Sequence, residues 1–217
     1  MSVRGSMHLE KIRAILLLVF MIGILIRGEA LMAAEEKAVF AGGCFWCMES
    51  PFDALKDKGV ISTTVGYSGG GKVNPTYKEV SHGGTGHREV IEVVFDPSKI
   101  TYRELLNIFW KNVDPVDSRG QFCDHGEQYT SAIFTYSDEQ KKVAEDSRNE
   151  IEKKLKERGV IKNGMKLETK ILPGKEFYAA EDYHQDYYLK NPLRYKFYRF
   201  NCGRDKRLKE VWGESAH

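Results

Sequence analysis

The sequence has little proline and no tract of glycine. Its 217 residues include 6 prolines and 20 glycines, and these residues fall in short clusters. A low-complexity or collagen-like chain would hold far more of both residue types. Apolar residues make up 41% of the chain and charged residues 29%, which is ordinary for a globular protein. The composition and the length therefore predict one compact folded domain.

The chain also has almost no net charge. Its formal charge is +2, which gives no broad field to attract nucleic acid or acidic membranes. Basic and aromatic residues alternate over residues 195–209, but basic residues near a C-terminus usually form a solvated face. We therefore expect no nucleic-acid partner.

The first 34 residues differ in character from the rest. Lys11 and Arg13 precede an uninterrupted apolar run over residues 14–26, and small residues follow at Ala30, Ala33 and Ala34. This order is typical of a secretory signal peptide. A helix of that run would span about 20 Å, which is too short for a bilayer core of about 30 Å.

We therefore predict a signal peptide over residues 1–34 and a single folded domain over residues 35–217. Translation would start at Met1 or at Met7, and the second start gives a tidier leader. The protein is expected to be exported to the periplasm or another extracytoplasmic space. It would stay anchored to the membrane if the leader is not cleaved. A buried core helix is the alternative interpretation of the apolar run.

Hydrophobic periodicity predicts alternating strands and helices in the remaining chain. The predicted strands are residues 37–41, 60–67, 88–95, 131–136 and 167–172. The predicted helices are residues 44–59, a helix after a capping box at Thr101 and Glu104, and a charged helix from Ser137 to about Arg158. Residues 68–86 are predicted as a long loop, and the aromatic-rich region after Leu172 is not assigned. The alternation predicts a sheet with helices packed against it.

Cys44 lies where the first strand passes into the first helix. Backbone N–H groups at a helix N-terminus favour negative charge. A thiol there is expected to lose its proton more easily than a free cysteine, whose pKa is about 8.5. Gly42 and Gly43 let the backbone turn tightly and leave the sulfur uncovered. The position therefore predicts that Cys44 is a nucleophile.

Cys47 follows three residues later, so both thiols face the same side of the first helical turn. This spacing suits a redox cycle in which the first thiol is oxidised and the second closes a disulfide. An inert disulfide and a zinc site are alternatives, although zinc needs a second close pair and Cys123 and Cys202 lie far apart in the sequence. A thioredoxin-like disulfide oxidoreductase that uses Cys44 and Cys47 is the competing enzyme prediction.

The residues that follow Gly42 resemble a known active-site signature. Gly43-Cys44-Phe45-Trp46 is similar to the signature of peptide methionine sulfoxide reductases of the A type. Further stretches match that family in the same order: Gly66-Tyr67, Gly69-Gly70, Asn74-Pro75-Thr76-Tyr77, Gly86-His87-Arg88-Glu89, Asp114-Pro115, Gln121-Phe122, Asp124-His125-Gly126, Gln128-Tyr129, Ala180-Glu181-Asp182-Tyr183-His184-Gln185 and Cys202-Gly203-Arg204. The likeness covers residues 37–213 and weighs against the thioredoxin-like alternative.

The resemblance implies an activity and a fold. The enzyme would reduce the S epimer of methionine sulfoxide, free or in proteins, and so repair proteins after oxidative stress. Cys44 would attack the sulfoxide sulfur and become a sulfenic acid. The implied fold is an α+β two-layer sandwich around a mixed β-sheet, with a ferredoxin-like core and long active-site loops. No bound cofactor or metal is implied. A thioredoxin-like reductase or dithiothreitol would be the reductant, and we expect a monomer.

The resemblance also implies which residues assist Cys44. Glu89 matches the family's general acid, which protonates the departing oxygen. A free glutamate has a pKa of about 4.3, but an apolar pocket would raise it. On pattern alone Glu89 would be a surface strand residue, and the resemblance reverses that interpretation. Tyr77 and Tyr129 match two phenols that donate hydrogen bonds to the sulfoxide oxygen.

Three further residues match positions around the substrate. Phe45 and Trp46 match the rings that hold the methyl group on the sulfur, which needs a dry slot. Asp124 matches an acidic residue that organises the polar side of the site.

The second thiol of the cycle is left open by the resemblance, because the commonest family pattern has glycine where Cys47 stands. Cys47 is best placed by local spacing. Cys202 lies in the C-terminal segment where many relatives carry their recycling cysteine, and Cys123 adjoins Asp124. We predict Cys47 as the resolving thiol, with Cys202 as the alternative and Cys123 as the third candidate.

Overall fold

The computed structural model describes residues 34–213, so the predicted signal peptide lies outside the described residues apart from its last position. The strands are β1 Glu36–Ala41, β2 Val60–Ser68, β3 Arg88–Phe95, β4 Gly120–Gln121, β5 Asp124–His125, β6 Ala132–Thr135, β7 Lys170–Pro173 and β8 Phe177–Ala179. The helices are α1 Phe45–Asp53, α2 Tyr77–Ser81, α3 Tyr102–Lys111, α4 Asp138–Glu157, α5 Tyr187–Lys190, α6 Pro192–Asn201 and α7 Arg204–Trp212. Between residues 34 and 213, none of the helices is long and apolar enough to cross a membrane.

Six strands form one mixed sheet in the order β7-β6-β1-β3-β2-β8. Every neighbouring pair is antiparallel except β6 and β7, which run parallel. The short strands β4 and β5 form a separate two-stranded ladder. The sheet confirms the prediction of a mixed sheet combined with helices.

The largest hydrophobic cluster packs residues of α1, α3, α4 and α7 against the sheet. Phe40 of β1 stacks on Phe52 of α1 with ring centroids 5.4 Å apart, and on Phe109 of α3 at 5.2 Å. Offset aromatic stacking of this kind adds to the free energy gained by burying the rings. The packing fixes α1 against the sheet, and so fixes the turn between β1 and α1.

Most predicted strands and helices lie near their predicted positions, but the helix predicted over residues 44–59 ends at Asp53 and is followed by a 3-10 turn at Lys56–Lys58. β3 has the predicted bounds, and the capping box is present, with Thr101 Oγ1 accepting a hydrogen bond from the Glu104 N–H at 3.2 Å. The strand predicted at residues 167–172 is observed at residues 170–173. The prediction of an uninterrupted loop over residues 68–86 is wrong, because a second capping box at Thr76 and Glu79 starts the five-residue helix α2.

Candidate active site

The turn before α1 depends on a close approach between two backbone segments. Gly43 has a φ of +81°, a left-handed conformation that favours glycine. A Cβ atom added at Gly43 would lie 2.5 Å from Cβ of Gln121. Glycine is therefore required both by the backbone conformation and by the space at this position. Gln121 is itself fixed by hydrogen bonds with the backbone of Asp114. The β4–β5 ladder is therefore held against the turn that carries Cys44.

Cys44 and Cys47 form a buried pair of free thiols. Cys44 is the N-cap of α1, its side chain is 7% exposed, and that of Cys47 is 1% exposed. Burial raises the pKa of Cys44, and its hydrogen bond to Cys47 raises that pKa further. The same hydrogen bond lowers the pKa of Cys47 to about 6, although burial opposes the change. These shifts make Cys47 the more acidic thiol of the pair and Cys44 the thiol that holds its proton more tightly.

The raised pKa of Cys44 and the lowered pKa of Cys47 correct the expectation that the helix N-terminus makes Cys44 the more acidic thiol. The dipole argument assumed a sulfur in contact with water, whereas Cys44 is buried against Cys47 and Glu89. Desolvation penalises the charged form of a buried thiol, and the charge of Glu89 acts in the same direction. Cys44 is thus the thiol that must lose a proton when it reacts.

Glu89 lies on β3 with its carboxyl group inside the protein, 2% exposed. Its Oε2 accepts a hydrogen bond from the Phe45 N–H at 3.0 Å, so the carboxyl sits beside the start of α1. Burial raises the pKa of Glu89 to about 8, the Phe45 hydrogen bond opposes the rise, and the charges of Asp124 and Cys47 add to it. Glu89 is therefore mostly protonated at neutral pH, and the surface position suggested by the strand pattern is wrong.

Two phenols lie in the electrostatic field of Glu89. Burial raises the pKa of Tyr77 to about 12, and it raises the pKa of Tyr129 as well; the charge of Glu89 contributes to both shifts. Tyr77 begins α2, and its N–H donates to Glu181 Oε1 at 2.9 Å, while the Tyr67 hydroxyl donates to Glu181 Oε2 at 2.9 Å. Both Tyr77 and Tyr129 keep their protons and remain hydrogen-bond donors at neutral pH.

Phe45 and Trp46 form an aromatic wall with residues from the C-terminal region. The Trp46 Nε1–H donates to His184 Nδ1 at 3.0 Å, and the indole stacks on Tyr187 with centroids 3.7 Å apart and planes 6° apart. Phe45 lies 5.0 Å from the ring of His184 and 6.4 Å from that of Tyr77. Burial lowers the pKa of His184, so its ring stays neutral and Nδ1 can accept the indole proton. The orientation of Trp46 is thus fixed by a hydrogen bond and a stacked ring.

Glu181 and His184 are site residues that the sequence interpretation missed. Both belong to the stretch 180–185 that matched the family, but no role followed from the match. Their partners are Tyr67, Tyr77 and Trp46, which lie about a hundred or more positions earlier in the chain. A single sequence carries no signal for contacts at that separation.

Asp124 lies at the polar edge of the site. Its carboxylate accepts a hydrogen bond from the Tyr198 hydroxyl, and burial raises the pKa of Asp124. The charge of Asp124 acts on Cys44, Cys47 and Glu89. The structure therefore brings the predicted polar residues into one electrostatically linked group.

Cys123 and Cys202 are joined in a disulfide, with Cα atoms 4.9 Å apart. Cys202 Sγ lies 4.0 Å from Asp124 Oδ2, so the bond borders the site, and Cys123 is exposed to solvent. The sequence interpretation did not anticipate this pairing. The two sulfurs and the Asp124 carboxylate lie within 4.8 Å of one another, but sulfurs bonded to each other do not act as two thiolate ligands for zinc.

The chain matches one protein family over most of its length. The family model described as peptide methionine sulfoxide reductase matches residues 36–216. The peptide methionine sulfoxide reductase MsrA of Bacillus licheniformis is 48% identical over 179 residues, which cover 82% of this chain and 94% of that protein. The MsrA 2 protein of Caulobacter vibrioides is 48% identical over 178 residues, which cover 82% of this chain and 86% of that protein.

Solved structures give the same similarity. Methionine sulfoxide reductase A of Corynebacterium diphtheriae has a TM-score of 0.67 at 36% identity, over 77% of this chain and 78% of that one. The reduced form of Mxr1 from Saccharomyces cerevisiae has a TM-score of 0.66 at 34% identity, over 73% of this chain and 86% of that one.

Proposed function

The chain belongs to the peptide methionine sulfoxide reductase family and reduces methionine sulfoxide to methionine, and we propose that Cys44 attacks the sulfoxide sulfur while Glu89 protonates the oxygen. One observation carries this assignment of roles. The buried carboxyl group of Glu89, whose pKa is raised to about 8, accepts a hydrogen bond from the N–H of Phe45, the residue that follows Cys44. A thiol and a neutral acid therefore lie beside each other at the start of α1, as sulfoxide reduction requires. The family assignment selects methionine sulfoxide over the protein disulfides of a thioredoxin-like exchange enzyme.

The proton transfers of the first step follow from the order of the two thiol pKa values, since Cys47 is the more acidic thiol. As Cys44 Sγ bonds to the sulfoxide sulfur, its proton passes to the Cys47 thiolate, and Glu89 gives its proton to the oxygen. The hydroxyl group then passes from the substrate sulfur to Cys44 Sγ as the bond between the two sulfurs breaks, so methionine departs and Cys44 is left as a sulfenic acid. Tyr77 and Tyr129 are assigned to hold the oxygen by donated hydrogen bonds. We assign the methyl group to the wall made by Phe45 and Trp46, and the polar side of the substrate to Asp124.

Cys47 is the resolving thiol in this proposal. It attacks Cys44 Sγ, a disulfide forms, and the hydroxyl group leaves as water with the proton that Cys47 had taken from Cys44. Glu89, now ionised, regains a proton from solvent because its pKa lies near 8. The alternative, Cys202, has its sulfur bonded to Cys123 in this structure, which favours Cys47.

Replacing Cys47 with serine separates the two half reactions. With thioredoxin as the reductant, we expect the Cys47→Ser protein to form about one methionine per enzyme and then stop, because the sulfenic acid has lost its neighbouring thiol. That single turnover should be slower than in the wild type, since the base that accepts the Cys44 proton is also gone. Rapid-quench measurement of methionine, with dimedone labelling of the sulfenic acid, checks both points.

A double variant, Cys123→Ser with Cys202→Ser, is the matched control for that experiment. It also removes two sulfurs from the edge of the site, yet it should keep multiple turnover with thioredoxin as the reductant. If the Cys47→Ser protein instead keeps full recycling and the double variant loses it, Cys202 becomes the resolving residue.

The proposed activity is tested with the two epimers of methionine sulfoxide and dithiothreitol as the reductant. The S epimer, free or within a peptide, should be converted to methionine, and the R epimer should remain. Reduction of insulin disulfides in the same buffer should be no faster than with dithiothreitol alone. Inactivity on both epimers, or catalysed insulin reduction, would overturn the proposal.

We further propose the electron source, the fold type and the location. A thioredoxin-like reductase would reduce the Cys44–Cys47 disulfide, and the protein would act as a monomer on oxidised proteins and free methionine sulfoxide. The strand order β6-β1-β3-β2 with α1 and α3 supports a two-layer, ferredoxin-like core. Export directed by residues 1–34 is supported by the Cys123–Cys202 disulfide, because disulfides persist mainly outside the reducing cytosol.

A further inference from the structure

Arg204 is a charged side chain inside the protein, 1% exposed. Its Nη2 donates to the carbonyl oxygens of Gly42 at 3.1 Å and Asn112 at 2.7 Å, and lies 3.1 Å from the sulfur of Met48. Its Nε has no hydrogen-bond partner, and none of the salt bridges within residues 34–213 includes it. The other face of the guanidinium lies over the ring of Phe122, 4.5 Å from the centroid. The groups in direct contact with this buried cation are thus neutral, although its charge also acts on the Asp124 carboxylate, whose pKa it lowers.

An uncompensated buried charge costs several kcal/mol, so its surroundings normally supply an anion. The position of Arg204 indicates which anion. Gly42 lies two residues before Cys44, and Met48 directly follows Cys47, so the guanidinium lies against the turn that holds both thiols. Its Nη1 also lies 3.7 Å from the point that a Cβ on Gly43 would occupy. The negative charge of the dithiol is the charge that this turn provides.

We propose that Arg204 is a positioning residue that holds the negative charge of the resting dithiol on Cys47. This inference rests on the proposed function, in which Cys47 first accepts the proton of Cys44 and later attacks its sulfenic acid. Removing the cation would raise the pKa of Cys47 and so make Cys47 a less available base for the Cys44 proton at neutral pH. Arg204 is not placed in contact with substrate and acts through Cys47.

Other charged groups around Cys47 do not replace Arg204. The titratable and charged groups that act on Cys47, or feel its charge, are Cys44, Glu89, Asp124, Tyr195, Tyr198, Arg199 and Arg204. Among these the cations are Arg199 and Arg204, and both lower the pKa of Cys47, Arg204 by more. Arg199 donates hydrogen bonds from Nε and Nη2 to the Asp205 carboxylate. This salt bridge already balances much of the positive charge of Arg199. Arg204 makes no salt bridge within residues 34–213, although its charge also acts on Asp124.

The test measures the titration of Cys47 in the protein without substrate. A Cys44→Ser background leaves Cys47 as the one free thiol, because Cys123 and Cys202 are bonded to each other. Thiolate ultraviolet absorbance against pH then reports its midpoint. Adding Arg204→Gln keeps a donor toward the Gly42 and Asn112 carbonyls but removes the charge, and should raise the midpoint by about 1–3 pH units, the range for losing an adjacent opposite charge.

Two further variants distinguish charge from structure. Arg204→Lys restores the charge and should return the midpoint most of the way to that of the background. Arg199→Gln removes a charge that Asp205 already balances, so it should shift the midpoint less than Arg204→Gln does. An unchanged midpoint in a folded Arg204→Gln protein overturns the proposal, and so does an Arg204→Lys midpoint as high as that of Arg204→Gln. If Arg204→Gln does not fold, Arg204→Met, which also has an unbranched side chain without charge, takes its place, and a midpoint equal to that of the background overturns the proposal. Because no substrate is present, the result is independent of whether the protein reduces methionine sulfoxide.

Discussion

A Cys44→Ser protein is expected to produce no methionine from the S epimer, either in multiple turnover or in the first turnover. The serine hydroxyl is a far weaker nucleophile toward sulfur than a thiol that can pass its proton to Cys47. Removing a covalent nucleophile commonly lowers the rate by about 10⁴-fold or more. Rapid-quench assays at a high enzyme concentration set the detection limit low enough to measure a loss of that size.

The matched control for this loss is Cys47→Ser, a change of the same size one helical turn away. It should retain the first turnover that the Cys44→Ser protein lacks. Both variants keep the Cys123–Cys202 disulfide and the aromatic packing around α1, so their thermal unfolding should resemble that of the wild type. If the Cys44→Ser protein forms methionine at the wild-type rate, another residue is the nucleophile.

Glu89→Gln is expected to slow the first half reaction by about 100- to 10,000-fold, the usual contribution of a general acid. Glutamine has nearly the shape of glutamate and can still accept the hydrogen bond from the Phe45 N–H. It has no proton to transfer at any accessible pH, so the sulfoxide oxygen must leave without one. Single-turnover methionine formation measures the effect, and alkylation of Cys44 at an unchanged rate shows that the thiol pair is intact.

The pH dependence of the first half reaction also tests the role of Glu89 as the general acid. The reactive form needs Glu89 protonated and Cys47 ionised. The pKa of Glu89 is raised to about 8 and that of Cys47 is lowered to about 6, so the rate should be highest between these values. It should fall above pH 8 as Glu89 ionises and below pH 6 as Cys47 gains a proton. Glu89→Gln should lose the alkaline limb and keep the acid limb, whereas a wild-type alkaline limb retained in this variant would remove Glu89 from its role.

Much of the N-terminal two thirds of the fold was predictable because its strands and helices have clear hydrophobic periods. The strand over residues 88–95 alternates enough to show its bounds, and the Thr101–Glu104 capping box marks a helix start within three residues. Those signals are local, so a single sequence contains them. The short helix α2 has the same kind of cap, but five residues are too few to show a helical period.

The C-terminal third was not predictable because its aromatic residues have no single period. Tyr187 stacks on Trp46, and Tyr198 donates to Asp124, so each ring faces a different part of the site. Phe197 and Phe200 remain exposed although their residue types suggest burial. What these residues contact is decided by tertiary structure, which no local pattern records.

The candidate site shows the same division. The order of motifs pointed to Cys44, Glu89, Tyr77 and Tyr129 because each lies in a short stretch with a recognisable neighbourhood. The direction of the Cys44 pKa shift was wrong because burial, which opposes the helix dipole, cannot be seen in the sequence. The Cys123–Cys202 bond joins positions 79 residues apart, and pairing at that separation has no sequence signal.

The most direct test of the account is the protonation state of Glu89 itself. Difference infrared spectroscopy between the wild type and Glu89→Gln isolates the carbonyl stretch of a protonated carboxyl group at this one position. This band should be present at pH 6, persist through neutral pH and disappear with a midpoint near pH 8. A Glu89 carboxyl group that is already ionised at pH 6 and stays so when a sulfoxide peptide binds would contradict this expectation.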